Sequence, residues 1–180
     1  MNRDEGELRH LVLIGLMGSG KTTVGEACAA RLGRALVDTD ELVLATAGRS
    51  IGDIFASGGE AEFRRLEVSA VADVCASPEP LVISCGGGVV LEPANRSALR
   101  NAGVVVWLRG TPATLAARVG ADAADRPLLR SRDAEEELER LAELRAPLYE
   151  SIAHATVDTD DRSINDVVDA VLVEAARCAT

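Results

Sequence analysis

The chain has 180 residues, 47% of them hydrophobic and only 2% aromatic, with a formal net charge of −10. That length fits one domain with a substantial buried core, and with Trp107, Tyr149, Phe55 and Phe63 as the only aromatics, the core has to come from Leu, Val, Ile and Ala. The acidic balance argues against a nucleic-acid surface, which needs a basic patch or stripe, and no apolar run reaches the roughly 18 residues of a membrane span.

The four cysteines, Cys28, Cys75, Cys85 and Cys178, are scattered without metal-ligand spacing. They read as small apolar residues in a reducing cytosol. The polar start over 1–10 has no apolar h-region, so no signal peptide is expected and the location is expected to be cytoplasmic.

Residues 1–10 read as a loose tail. Leu11, Val12, Leu13 and Ile14 form a wholly apolar run before glycine, the pattern of a central parallel strand covered on both faces. Residues 22–32 have helical spacing and stop at Gly33. Ala35, Leu36 and Val37 are a second short strand that runs into Asp38-Thr39-Asp40. Ser50 is placed to cap a short helix over 51–56, which stops near Gly58 and Gly59. A helix over 62–76 turns Phe63, Leu66, Ala70 and Val74 toward the core. Leu81, Val82 and Ile83 make a third strand, which ends in Gly86-Gly87-Gly88, and 104–108 make a fourth. Thr111 and Pro112 open the next helix as cap and first helical residue. The stretch 120–132 is charged and aperiodic, and reads as a long mobile loop. Asp133 and Glu136 form a capping-box-like start to a helix carrying Leu138, Leu141, Leu144 and Leu148. Pro147 is expected to kink or end it. Residues 155–157 are a fifth strand and 164–176 a final helix. Strands alternating with helices predict an α/β fold, a parallel sheet covered on both faces.

Chemistry concentrates in the first loop. Lys21 is the single lysine among nineteen basic residues, so it stands where arginine has replaced lysine everywhere else. An ammonium is a compact point charge, whereas a guanidinium is a wide planar fork. Lys21 lies in Gly15-Leu16-Met17-Gly18-Ser19-Gly20-Lys21-Thr22, which fits the phosphate-binding pattern G-x-x-x-x-G-K-[ST]. Its glycines let successive N–H groups point at phosphate oxygens, and the helix that follows adds its positive end. Lys21 would reach the β- and γ-phosphates and Thr22 would ligate magnesium. The motif's place between a strand and a helix points to a nucleoside triphosphate ligand.

Asp38 and Asp40 follow the second strand. On an extended segment both carboxylates face the crevice where open α/β sheets bind ligands. One would hold magnesium through water and the other would accept a substrate hydroxyl proton. The same spacing also allows Asp40 merely to cap a helix starting at Glu41. Gly86-Gly87-Gly88 is either a close approach of backbone to ligand or a plain turn. Among the arginines, Arg64, Arg145, Arg126 and Arg130 are placed on helices or in the long loop. Two converging on a carboxylate would recognise it bidentately, and one on a closing loop would stabilise charge on a transferring phosphoryl group. The pattern alone selects none of them.

Taken together, these segments resemble the shikimate kinase family. The matching stretches are Gly-Leu-Met-Gly-Ser-Gly-Lys-Thr-Thr (15–23), Asp-Thr-Asp (38–40), Gly-Arg-Ser-Ile-Gly-Asp-Ile-Phe (48–55), Gly-Glu-Ala-Glu-Phe-Arg-Arg-Leu-Glu (59–67), Gly-Gly-Gly (86–88), Arg-Pro-Leu-Leu (126–129) and Arg-Ala-Pro-Leu-Tyr (145–149). They occur in the family's order and span about residues 11–172. The resemblance implies a single domain over 1–180 with a nucleoside-monophosphate-kinase-like P-loop kinase fold. That fold is a three-layer sandwich, a five-stranded parallel sheet with helices on both faces, with a substrate-binding region near 41–70 and a lid near 119–133. The implied reaction is ATP-dependent phosphorylation of the 3-hydroxyl of shikimate with Mg²⁺, a step of aromatic amino-acid biosynthesis. A cytoplasmic monomer with no nucleic-acid or membrane partner is implied.

By position, the resemblance implies that Asp40, Arg64, Gly86, Gly87, Gly88 and Arg145 hold shikimate, the arginines facing its carboxylate and Asp40 its hydroxyls. Gly18, Ser19, Gly20, Lys21, Thr22, Thr23, Arg118, Arg126 and Arg162 would hold the nucleotide. Arg118 would lie against adenine, Arg126 would be the lid arginine on the phosphates, and Arg162 would approach from the late loop. Thr22 and Asp38 would serve magnesium, while Asp40, Lys21 and Arg126 would act in catalysis. Glu67 would orient Arg64 as an i, i+3 pair. No aspartate ends the third strand, where Ser84 and Cys85 stand. Magnesium would therefore rely on Thr22, Asp38 and water, a departure from the general P-loop pattern. The rival readings are another small-molecule kinase, such as a gluconate or nucleotide kinase, and a nucleotide-dependent switch. A GTPase would need an Asn-Lys-x-Asp element, which a chain with one lysine cannot contain.

Overall fold

A computed structural model describes residues 10–121 and 134–178. Its first strand, β1 (His10–Ile14), is buried at every position, as an unbroken apolar run requires. Around it lie β2 (Leu36–Asp38), β3 (Val82–Ser84), β4 (Gly103–Arg109) and β5 (Ala155–Asp158). Among the described residues these form one five-stranded sheet in the order β2-β3-β1-β4-β5, with every pairing parallel. The chain between strands is helical: α1 (Lys21–Leu32), α2 (Thr39–Ala47), α3 (Ile51–Cys75), α4 (Pro93–Ala102), α5 (Pro112–Ala121), α6 (Ala134–Ile152) and α7 (Ile164–Cys178).

The pleat of β1 divides the core. Alternate residues of a strand point to opposite faces. Leu11 and Leu13 pack with Val24 and Cys28 of α1 and Val167, Val168 and Val171 of α7. Val12 and Ile14 pack on the other side with Val71 and Val74 of α3, Leu99 of α4, Leu115 of α5 and Leu138 and Tyr149 of α6. The three-layer sandwich expected from the sequence follows. A smaller cluster of Val43, Ile54, Phe63 and Ala70 joins α2 to α3. All four cysteines are free thiols, and burial pushes Cys28 and Cys75 up to about 11. Among the described residues no helix is long and apolar enough to cross a membrane.

Several expectations need correction. Asp38, not Asp40, is the cap of α2: its Oδ1 accepts the Asp40 N–H at 2.9 Å. The helix therefore starts at Thr39, and Asp40 lies in its first turn rather than on an extended segment. The two expected helices around Gly58 and Gly59 meet at a single break, Gly59, with φ 68° and ψ −170°. Ser50 caps the first half as expected, accepting the Asp53 N–H at 3.1 Å. Helix α4 and the 3₁₀ turn Val89–Leu91 before it were not anticipated. Pro147 does not end α6, which runs on to Ile152. Pro147 and Glu143, whose carbonyl loses its partner, are both exposed, so water can take the missing bond. The expected loop over 120–132 falls, after α5 ends at Ala121, outside the described residues, as do Asp133 and most of the lid near 119–133.

Each of the two histidines accepts a backbone N–H from a neighbouring segment. His10 Nδ1 accepts the Leu81 N–H at 3.0 Å, and His154 Nδ1 accepts the Val105 N–H at 3.0 Å. Burial holds the His10 pKa below its ordinary value of 6.5, a backbone hydrogen bond at Cys75 opposes this, and Arg34 adds to it. The folded protein thus binds fewer protons than the unfolded chain once the pH falls to about 6.5. Stability should be full near pH 7.5 and decline as the pH drops through 6.5 toward the lowered folded value. Thermal melts from pH 7.5 to 5.5 should show that decline, with a smaller slope in His10→Gln. Equal slopes would assign the effect elsewhere.

Candidate active site

The loop after β1 curls around its glycines. Gly18 has φ 80°, and a Cβ there would lie 2.7 Å from the Leu115 carbonyl oxygen, so both conformation and the packing of α5 exclude a side chain. Helix α1 begins after Gly20 without a side-chain cap. Its first N–H groups therefore point out of the helix end, next to its positive dipole. Ser19 is buried, its backbone N–H donating to the Leu16 carbonyl at 3.2 Å. Lys21 Nζ donates to the same carbonyl at 2.9 Å and to Ser19 Oγ at 3.4 Å. Thr22 and Thr23 are exposed at the start of the helix. The free helix-end N–H donors and one ammonium form a cradle whose chemistry fits the phosphates of a nucleotide.

Asp38 stands at the end of β2, beside that cradle. Its Oδ2 accepts from Ser84 Oγ at 2.9 Å and from Thr22 Oγ1 at 3.3 Å. Carboxylate and hydroxyl oxygens are the donors a magnesium ion takes. Among the described residues no group of three or more His, Cys, Asp and Glu gathers as an all-protein metal cage. A hard cation here would therefore draw on Thr22, Asp38, water and phosphate, a donor set that suits magnesium.

The triple glycine lies alongside. A Cβ on Gly87 would sit 3.5 Å from Met17 N, so this tract packs on the phosphate loop. Each glycine faces one polar side chain. A Cβ on Gly86 would overlap the Asp40 carboxylate; one on Gly87 would lie 3.7 Å from Arg145 Nη1; one on Gly88 would lie 2.6 Å from Arg64 Nη1. The two arginines that the sequence could not select thus meet neighbouring residues of one turn, with Asp40 one residue before them.

Arg64 is itself held. Nη1 donates to Glu67 Oε2 at 2.8 Å, while Nε and Nη2 donate to Glu60 Oε1 at 3.3 and 3.2 Å. The Glu67 side chain is 1% exposed and that of Glu60 is 64% exposed, so only the first pair is withdrawn from water. Burial pushes the Glu67 carboxyl up, with Arg64 opposing and Asp40 and Glu92 adding repulsion. For Arg64, burial alone would lower the pKa; the two glutamates outweigh it and hold the guanidinium above its ordinary value. Glu67 Oε1 has no hydrogen-bond partner among the described residues.

Other expected residues sit farther out. Arg118 donates to Thr159 Oγ1 at 3.0 Å and to the Thr159 carbonyl at 2.7 Å. Arg162 donates to the carbonyls of Asp158 and Asp166 at 3.3 and 2.8 Å. Arg118 thus bonds the residue just after β5, and Arg162 links the end of β5 to the first turn of α7. Arg126 and Arg130 lie outside the described residues.

A family model described as Shikimate kinase matches residues 17–176. The shikimate kinase of Symbiobacterium thermophilum is 51% identical over 160 residues, covering 88% of this chain and 91% of that protein. The chain belongs to the shikimate kinase family. A solved shikimate kinase from Acinetobacter baumannii in complex with shikimate superposes with a TM-score of 0.87 at 34% identity, covering 93% of this chain and 92% of that one. A gluconokinase from Sinorhizobium meliloti 1021 is more distant, with a TM-score of 0.64 at 25% identity over 95% of this chain and 93% of its own.

Within this shikimate kinase fold, three residues near the site escaped the sequence reading. Thr39 Oγ1 accepts the Gly86 N–H at 2.9 Å, and Ser84 meets Asp38 across the β2–β3 pair. Neither carries a sequence signal beyond a hydroxyl at a strand end. Tyr149 did carry one: it lies one helical turn after Arg145, on the same face. Its hydroxyl donates to the Gly87 carbonyl at 2.5 Å, and its ring lies 5.6 Å from that of Trp107. Burial raises the Tyr149 pKa far above the ordinary tyrosine range, so the hydroxyl remains a donor. Tyr149→Phe leaves the half-buried Gly87 carbonyl without this donor. It should cost about 0.5–1.5 kcal/mol in urea unfolding at an unchanged m-value, and raise the acceptor KM as the glycine turn loosens. An unaltered unfolding midpoint would show that water replaces the hydroxyl.

Proposed function

We propose that the chain transfers the γ-phosphoryl group of ATP to the 3-hydroxyl of shikimate, giving shikimate 3-phosphate and ADP in aromatic amino-acid biosynthesis. The observation that carries this reading is the triple glycine, which sets Asp40, Arg145 and Arg64 side by side next to a phosphate cradle. Two guanidiniums beside one carboxylate suit a small acceptor that bears both a carboxylate and hydroxyls. The shikimate bound to the Acinetobacter baumannii relative is such a molecule.

In the mechanism, Arg64 and Arg145 hold the acceptor carboxylate and fix its ring. Asp40 accepts the proton of the attacking hydroxyl as that oxygen bonds to phosphorus and the bond to the departing ADP oxygen breaks. The loop at Gly18, Ser19 and Gly20 and the start of α1 at Thr22 and Thr23 orient the phosphates, and Lys21 offsets their charge. Thr22, and Asp38 through water, would hold magnesium, which when bound would further neutralise the phosphate oxygens. Arg118 and Arg162 are assigned to the nucleotide side and Arg126 to the phosphates from a lid near 119–133, whose closure would keep water from the ATP. We take 1–180 as one domain, its substrate-binding region near 41–70. A cytoplasmic monomer without a nucleic-acid or membrane partner fits the net charge of −10 and a site drawn from one chain.

Release of ADP from Mg-ATP, measured with shikimate, gluconate, AMP or no acceptor, tests the reading. Release only with shikimate is expected. Release with gluconate alone would keep the phosphate cradle and replace the acceptor, in line with the gluconokinase likeness. Lys21→Met should lower turnover at least about a thousandfold, on the scale of other charge-stabilising groups in phosphoryl transfer. Arg64→Ala and Arg145→Ala should raise the KM for shikimate far more than that for ATP. Equal losses on both substrates would remove the carboxylate clamp.

A further inference from the structure

Helix α3 is broken at one residue, and the break lies inside the acceptor region. Gly59 is in the left-handed range with φ 68°, open to glycine at little cost. The half before it carries Ile54, Phe55 and Ser57; the half after it carries Glu62, Phe63, Arg64 and Glu67. Arg49 belongs to neither half, standing just ahead of the Ser50 cap, yet its guanidinium meets both. Nη1 donates to Ser57 Oγ at 2.5 Å on the first half, and Nη2 is ion-paired with Glu62 Oε1 on the second. Ser57 Oγ itself donates to the Asp53 carbonyl at 2.7 Å, which leaves its lone pairs facing Arg49. Gly58 completes the arrangement: a Cβ there would overlap the Glu62 carboxylate. The side chains of Arg49 and Glu62 are 35% and 26% exposed, so solvent screens them less than a pair on the outer surface. The Phe55 and Phe63 rings also meet across the break, at 5.1 Å. An apolar contact alone has no directional preference, and the fork of Arg49 supplies one.

We propose that Arg49 and Glu62 are positioning residues whose ion pair, seated in the space left by Gly58, fixes the angle of the Gly59 break and so holds Arg64 against the triple glycine. This role rests on the reading of Arg64 as a ligand of the acceptor carboxylate.

Steady-state kinetics on both substrates test it, with Arg49→Ala, Glu62→Gln, Gly58→Ala and the charge-swapped Arg49→Glu with Glu62→Arg. The first two should raise the KM for shikimate about threefold to fivefold, the scale of one partly exposed ion pair, with kcat and the KM for ATP held within about twofold. The swapped pair should recover at least half of that loss. Gly58→Ala would place its methyl over the Glu62 carboxylate and 2.7 Å from Glu62 Cβ, so the pair must shift. The shikimate KM should rise and the melting temperature should fall. Recovery of the KM in the swapped pair is what separates positioning from stability. An unchanged shikimate KM in all variants, or a parallel rise in both KM values, would overturn the clasp. Wild-type protein that fails to phosphorylate shikimate would count against the acceptor assignment instead. Amide hydrogen exchange on the unliganded protein would then judge the clasp by itself: faster exchange over 58–66 in Arg49→Ala supports it, and identical exchange overturns it.

Discussion

One carboxylate, that of Asp38, ties together the carboxyl edge of the sheet. Its Oδ1 caps α2 through the Asp40 N–H, and its Oδ2 takes hydroxyl protons from Ser84 on β3 and Thr22 on α1. An ionised aspartate is an acceptor only, with room for about four donors. Three different elements supply three of them. The acid thus fixes where α2 starts, and with it where Asp40 stands, while it spaces β2 and β3 from the first turn of α1. Removing it would free a helix end, a strand-end hydroxyl and the threonine of the phosphate loop in one step. Because the same oxygens suit a hard cation, the scaffold function and the proposed magnesium function would use one group. The architecture around the phosphates is consequently in place before a ligand arrives, which is the main requirement of phosphoryl transfer by positioning.

The proposed acceptor side is built on the opposite principle, by leaving atoms out. Gly86, Gly87 and Gly88 contribute no side chain, and the space they leave is taken by Asp40, Arg145 and Arg64. Three consecutive glycines cost chain entropy on folding. Hydrogen bonds that enter from three elements offset it: Thr39 at the Gly86 N–H, Tyr149 at the Gly87 carbonyl, and Asn95 at the Val89 carbonyl just beyond. A turn with almost no side chains is thus tied from outside, by neighbouring elements.

This contrast explains what could be read in the chain. The strands were legible because parallel strands buried on both faces are short unbroken apolar runs, and β1, β3 and β4 are such runs. The phosphate loop was legible because its pattern is local and its Lys21 is alone. Helix α4 was not, since in Pro-Ala-Asn-Arg-Ser-Ala-Leu-Arg-Asn-Ala the larger apolar side chain is Leu99 alone. The position of Asp40 was misread for a physical reason as well: two aspartates flanking a threonine can each cap a helix, and only the hydrogen bond from the Asp40 N–H decides between them. Convergence of Arg64 with Arg145 had no sequence signal short of the family resemblance. The residues are 81 positions apart, and three glycines between them in the chain bring them together in space.

In its proposed role, Arg64 shows how an acidic protein could receive an acidic molecule. Its Nη1 is committed to Glu67, a buried partner, and withdrawing that carboxylate would leave the guanidinium with only the exposed Glu60 beside it. The Nε–Nη2 edge is the one that matches a carboxylate bidentately, and a single oxygen of the exposed Glu60 occupies it at 3.2–3.3 Å. A pair of that kind contributes about 0–1 kcal/mol. An incoming carboxylate therefore has to displace only the weaker of two glutamates, while the stronger keeps the guanidinium in place and charged. With Glu67 neutralising one side of Arg64, the site's remaining attraction comes from Arg145 and from the second fork edge. Recognition then depends on geometry at two guanidiniums more than on net positive charge, which the chain does not have.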